Sequence, residues 1–121
     1  MKVLSKGENL MLLKDVPKVN AVKLIDAIRE LNPKIKANIT AEDKALYDLG
    51  FSEDILCIVE IIATKKEIND LLEEVYDMEI AAYNYTDEML KDPYYIKQQK
   101  ELEKQYMKYG IIEDYLYSYR S

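Results

Sequence analysis

The sequence predicts a helix-rich α+β domain, a small sheet packed by several helices, with an all-α bundle as the alternative. Three observations carry this. Residues 34–39, KIKANI, alternate apolar and polar with period two, the pattern of a half-exposed strand. Ile55 to Ala63, ILCIVEIIA, is rich in β-branched residues and runs straight into a fresh helix start at Thr64. Around these lie three segments with apolar residues at helical spacing, near 19–31, 65–84 and 94–109. At 121 residues the chain has length for one domain, 1–121, with one modest core.

Residues 1–14 hold two short apolar runs, Val3-Leu4 and Leu10 to Leu13, separated by five residues from Ser5 to Asn9. A hairpin fits, and so does a strand over 10–14 preceded by a loose end. Pro17 and Asn20 introduce a helix to about Leu31, with Ala21, Leu24, Ile25, Ile28 and Leu31 on one side. Asn32-Pro33 stops it, because the residue before a proline is pushed out of the helical region. After the strand at 34–39, Thr40-Ala-Glu-Asp reads as a helix start, giving a short helix that ends before Gly50. Ile55 to Ala63 is read as a strand. A single helix from Ser52 to Asn84 competes, but Lys65 and Lys66 break its apolar stripe.

Thr64-Lys-Lys-Glu67 fits a capping box that starts a helix from Lys65 to about Asn84. At about 100° per residue, Ile68, Leu71, Leu72, Val75, Met78, Ala82 and Tyr83 fall on one arc. Glu67, Asp70, Glu73, Glu74 and Asp77 fall on the opposite one. Glu79 breaks the segregation, lying either at the wet end of the arc or against a Lys or Tyr of another element. Beyond Asn84, Thr86 caps a short turn through Leu90, and Asp92-Pro93 opens the next helix with proline near its first position. Tyr95, Gln99, Leu102, Tyr106 and Tyr109 then recur at spacings of 4, 3, 4 and 3. Such a seam packs within the domain or against a second copy, so a homo-oligomer through Tyr95, Leu102, Tyr106 and Tyr109 is one structural alternative. Gly110 is well placed as the C′ residue, the position where a glycine in the left-handed conformation commonly ends a helix. A last short helix follows, with Glu113 and Asp114 in its first turn.

Charge is distributed unevenly. Between Glu67 and Asp92 there are nine acids against Lys91 alone. Residues 1–66 carry eleven bases against ten acids and residues 93–121 five against four, so this one segment holds the negative charge of a −6 chain. Acids three and four apart on a helix repel by a few tenths of a kcal/mol each, and the interleaving lysines that usually offset this are missing. Residues 1–40 carry eight bases against four acids, so the molecule is polarised along its sequence. Tyrosine is overused too: eleven Tyr against one Phe and no Trp, seven of them after Pro93. Tyrosine gives contact area with a polar tip and is enriched in interface cores.

Several function classes lose their usual chemistry. There is no histidine, so the common general base, the common metal ligand and Ser-His or Cys-His nucleophiles are missing. No glycine-rich phosphate loop exists among Gly7, Gly50 and Gly110. Cys57, set in an apolar run without basic neighbours, reads as a buried small hydrophobe. A lone cysteine makes no disulfide within the chain, which fits a reducing cytoplasm. No apolar stretch at the N-terminus is long enough for a signal peptide or a membrane span. A chain of pI near 4.8 should not bind nucleic acid directly, since its strongest charge cluster repels phosphate.

Glu67-x-x-Asp70 and Glu74-x-x-Asp77 put two carboxylates on one helix face. This resembles the paired helical motifs with which all-α nucleotide pyrophosphatases hold magnesium, and it implies a magnesium-dependent nucleotide hydrolase as an alternative function. The pattern departs from that family in that the carboxylates point away from the apolar arc of a single helix. In size and charge the chain is similar to the small acidic proteins of phages and mobile elements that inhibit CRISPR nucleases or restriction enzymes. Carboxylates along a helix face imitate a phosphate row and steer onto a basic groove. The expected function is therefore a non-enzymatic, cytoplasmic protein-binding module, a nucleic-acid mimic that inhibits a nucleic-acid-processing enzyme. Its contact surface comprises Glu67, Asp70, Glu73, Glu74, Asp77, Asp87, Glu88 and Asp92, together with Tyr115, Tyr117 and Tyr119. No residue is given a catalytic, cofactor or metal-binding role.

Overall fold

The structure, a computed structural model, describes residues 3–120. Three strands, β1 (Glu8–Pro17), β2 (Lys36–Asp43) and β3 (Leu56–Thr64), form one sheet in the order β1-β3-β2. Both outer strands pair antiparallel with β3. They are therefore parallel to each other, and α1 (Lys18–Leu31) makes the crossover between them. A single turn of helix, α2 (Ala45–Asp48), caps the β2–β3 connection. After β3 come α3 (Lys65–Tyr83), a 3-10 turn (Met89–Lys91), α4 (Pro93–Tyr109), α5 (Ile111–Leu116) and a closing 3-10 turn (Tyr117–Tyr119). The α+β, helix-rich architecture is the one the sequence predicts.

One face of the sheet makes the core. Met11, Leu13 and Val16 of β1, Ala37 of β2, and Cys57, Val59, Ile61 and Ala63 of β3 are buried against Leu24 and Ile28 of α1, Leu71 and Val75 of α3, and Ile112 and Leu116 of α5. Cys57 is buried, with burial pushing its thiol up. β3 is the central strand, so Ile62 on its other face is enclosed as well, which explains why this stretch reads as a continuous apolar run. Leu10 and Leu12 on the edge strand beside it stay half-exposed. α1 is latched to β2 by Arg29, whose guanidinium donates to the Ala37 carbonyl at 2.8 Å and to Asn38 Oδ1 at 2.9 Å.

Two local expectations are corrected. Thr40 to Asp43 does not start a helix; it is the end of β2, with Glu42 opposite Cys57 and Asp43 opposite Leu56. A bulge between Ile39 and Ala41 absorbs the irregularity, and the pairing partner, far off in sequence, overrides the local helix signal. Gly110 is not a left-handed cap, since its φ is −61° and the chain passes almost directly from α4 into α5. The position is small for a different reason: a Cβ there would lie 3.0 Å from the Tyr106 carbonyl oxygen and 3.6 Å from its ring.

Candidate protein-binding surface

α3 is built as its sequence implies. The Thr64 hydroxyl accepts from the Glu67 amide at 3.1 Å, and the Glu67 carboxylate accepts from the Thr64 amide at 2.8 Å. Ile68, Leu71, Leu72, Val75 and Ala82 are buried, whereas Tyr83, at the end of the apolar arc, is more than half exposed and meets Tyr106 edge-on at 5.9 Å. The opposite side of the helix faces solvent.

The nine acids of the segment do different jobs. Glu67 is spent on the capping box, and Asp92 caps α4 by accepting from the Tyr94 amide at 2.9 Å. Asp70 pairs with Lys66 at 2.7 Å and Glu88 with Lys91 at 3.2 Å, both at the surface. Glu79 is half-buried on the side of Tyr106, the cross-element tyrosine that was one of its two expected fates, and its charge adds to burial in pushing that hydroxyl up. Glu73, Glu74, Asp77 and Asp87 are exposed and make no ion pair among the described residues. The ridge is thus narrower than the sequence suggests: three bare carboxylates over little more than one turn of α3, with Asp87 beyond its end.

A cleft of about 840 Å³ opens beside this ridge, between α3 and the C-terminal turns. Glu73, Tyr76, Asp77 and Glu79 line it from α3, and Glu113, Tyr117 and Arg120 from the other side. Four carboxylates therefore face one guanidinium. Burial, followed by the charges of Glu79 and Asp114, pushes the Glu113 carboxyl up. Its Oε1 is enclosed and finds no hydrogen-bond partner among the described residues. Next to it, burial and then the charges of Glu113 and Glu79 push the Tyr106 hydroxyl up to about 12. Comparison with protein-family models, curated proteins and solved structures finds no match for this chain.

The three C-terminal tyrosines do not share a face. Tyr115 is half-buried, its hydroxyl accepting from the Asn20 side chain at 3.1 Å. Tyr117 stands exposed at the acidic cleft, and Tyr119 lies over the join of β1, β3 and α3 beside Asn9 and Ile68. The α4 seam is occupied inside the chain. Tyr106 and Tyr109 pack against the core, and Gln99 donates to the Ala82 carbonyl at 3.1 Å. Glu113, Tyr76 and Arg120 belong to the cleft without having been expected there. The one sequence signal for it was Glu79, an acid out of place in an apolar arc.

Among the described residues no three acidic or cysteine side chains converge as a cation site. The Glu67–Asp70 pair, in particular, is split between a helix cap and Lys66. No helix among the described residues is long and apolar enough to cross a membrane.

Proposed function

We propose that the chain is a non-enzymatic protein-binding module that offers the outer face of α3 to a basic surface of a partner protein in the cytoplasm. In its specific form it is an inhibitor of a nucleic-acid-processing enzyme, of the anti-CRISPR or anti-restriction type carried by phages and mobile elements. The observation that supports this reading is the bareness of Glu73, Glu74 and Asp77, three exposed carboxylates that enter no ion pair among the described residues. The adjoining cleft adds to it. Tyr117 and Tyr76 flank Glu79 and Glu113 there, a setting in which a lysine or arginine side chain would exchange water for carboxylates and an aromatic wall. Such a surface steers a cationic groove quickly and loses its grip as salt rises.

The test is reversal of Glu73, Glu74 and Asp77 to lysine, followed by affinity capture from a cytoplasmic extract at low and high salt. The native chain should retain a basic protein at low salt and release it at high salt, and the folded triple variant should retain none. Equal capture by both proteins overturns the reading.

A further inference from the structure

Two surfaces of the fold stay unmatched among the described residues, and each carries what the other lacks. The first is the tip of the β2–β3 connection. Its backbone is tied to itself: the Asp48 amide donates to the Lys44 carbonyl at 2.7 Å and the Phe51 amide to the Leu46 carbonyl at 2.8 Å. Gly50 supplies the positive φ of +78° that lets the chain turn back. On this frame Leu46, Tyr47, Leu49 and Phe51 stand 45%, 49%, 69% and 80% exposed. The two aromatics alone present on the order of 250 Å² to water. Leu46 and Leu49 enlarge the patch into the range of about 300–600 Å² that a monomer's largest apolar patch, often a functional one, occupies. The rim here is acidic, with Asp43, Asp48 and Glu53 outside every ion pair of the described residues.

The second surface is a groove of about 460 Å³ on the outer face of α4, floored by Pro93 and Ile96 and edged by Lys97, Lys100 and Lys104, with Glu101 set among them. The three lysines follow i, i+3, i+7 spacing and so form one stripe, their aliphatic stems extending the apolar floor. None of them is in an ion pair among the described residues. This is an apolar slot whose edge carries three lysines against one acid, on a chain whose net charge is −6.

We infer that the chain self-associates by seating the 46–51 tip of one copy in the α4 groove of another. Apolar centre meets apolar centre, and the acids flanking the tip meet the lysines flanking the groove. An anionic membrane would be repelled by the tip's own carboxylates. A single tip in a single groove buries less than the 1,200–2,000 Å² or so typical of stable complexes, so the association is weak and concentration-dependent.

Sedimentation equilibrium of the full chain, from micromolar to near-millimolar concentration and at two salt levels, tests this. The mass should rise with concentration and fall with salt. Leu49→Ser with Phe51→Ser, and separately Lys97→Glu with Lys100→Glu, should each weaken association roughly thirtyfold. All four residues are exposed, so circular dichroism should find both variants folded. Mixing the two variants should restore a contact that neither makes alone, because one keeps its groove and the other its tip. Adding Asp48→Lys and Glu53→Lys to the lysine reversal should likewise restore self-association. A monomeric mass throughout, association that survives both variants, or failure of the charge swap overturns the inference.

Discussion

Glu74→Lys separates a working acidic ridge from an idle one. Glu74 is exposed and is the tenth of the nineteen residues of α3, far enough from both ends for the helix dipole to matter little. Its helical neighbours include Asp70 one turn before and Asp77 three residues on, both of its own sign. Lysine and glutamate have similar helix propensity, so the substitution acts through these two pairs. Each like-charge pair costs about 0.2–0.5 kcal/mol, and each opposite pair contributes about as much. Asp70 is already held by Lys66 at 2.7 Å, so its share of the swing is reduced. What remains is a stabilisation of about 0.5–1 kcal/mol, or roughly 2–4 °C in Tm for a chain of this size. Thermal denaturation at low salt reads the gain, and salt should shrink it. Capture of a basic partner should weaken in the same variant. The paired outcome is more stable and less bound. A Tm that stays level or falls at low salt refutes the electrostatic reasoning. A higher Tm with undiminished capture reduces the ridge to a solvated helix side.

Two further predictions concern the cleft and the helix behind it. Glu113 has its carboxyl pushed above the usual 4.5, so the folded chain holds that proton more tightly than the unfolded one. Stability is then lost as pH rises from about 4.5 through the folded value and stays lower above it. Glu113→Gln should raise Tm at neutral pH and flatten the Tm profile just above 4.5 relative to the native chain, whereas a lower Tm would mean that the carboxylate has a partner it needs. Leu116 is fully buried in the core, where α5 packs on α1 and α3, and fixes α5. Leu116→Ala should cost about 2–5 kcal/mol in urea unfolding, and a much smaller loss would mean that α5 docks loosely.

What could be read in advance follows how local each signal is. The capping box at Thr64 and Glu67 lies within four residues, and it forms as written. The strand at Leu56–Thr64 and the stop at Asn32-Pro33 are equally local in origin. Thr40 misleads because its environment is set by β3, paired to it from more than fifteen residues away. The same limit applies to the acids. Lys66 and Asp70 stand four apart, so their pairing was open to inspection, but Glu79 and Glu113 meet only because α5 folds back onto α3. Tyr115 could not be told from Tyr117 by sequence. One finds Asn20 across 95 residues and the other finds solvent. The tip and the α4 groove lie on separate elements, and only the fold shows that neither has a counterpart among the described residues.

The α3–α4 pair keeps the two kinds of charge apart. Tyr83 against Tyr106 at 5.9 Å, with Gln99 bonded to the Ala82 carbonyl, closes the joint between the helices. The bare carboxylates Glu73, Glu74 and Asp77 lie on the outside of one helix, and Lys97, Lys100 and Lys104 on the outside of the other. Had the sequence alternated acids and lysines along the outer side of α3, the i,i+4 pairs would have satisfied one another and that face would attract little. Segregation forfeits that local stabilisation on α3, whereas α4 carries Glu101 and Glu103 among its lysines. It leaves two surfaces of opposite sign that share no residue, so changes on one should add to changes on the other without coupling. Glu74→Lys should therefore leave the self-association mass untouched, and Lys97→Glu with Lys100→Glu should leave capture of a basic partner intact. Coupling between the two would mean that partner and second copy compete for one surface, and the two sites would have to be redrawn as one.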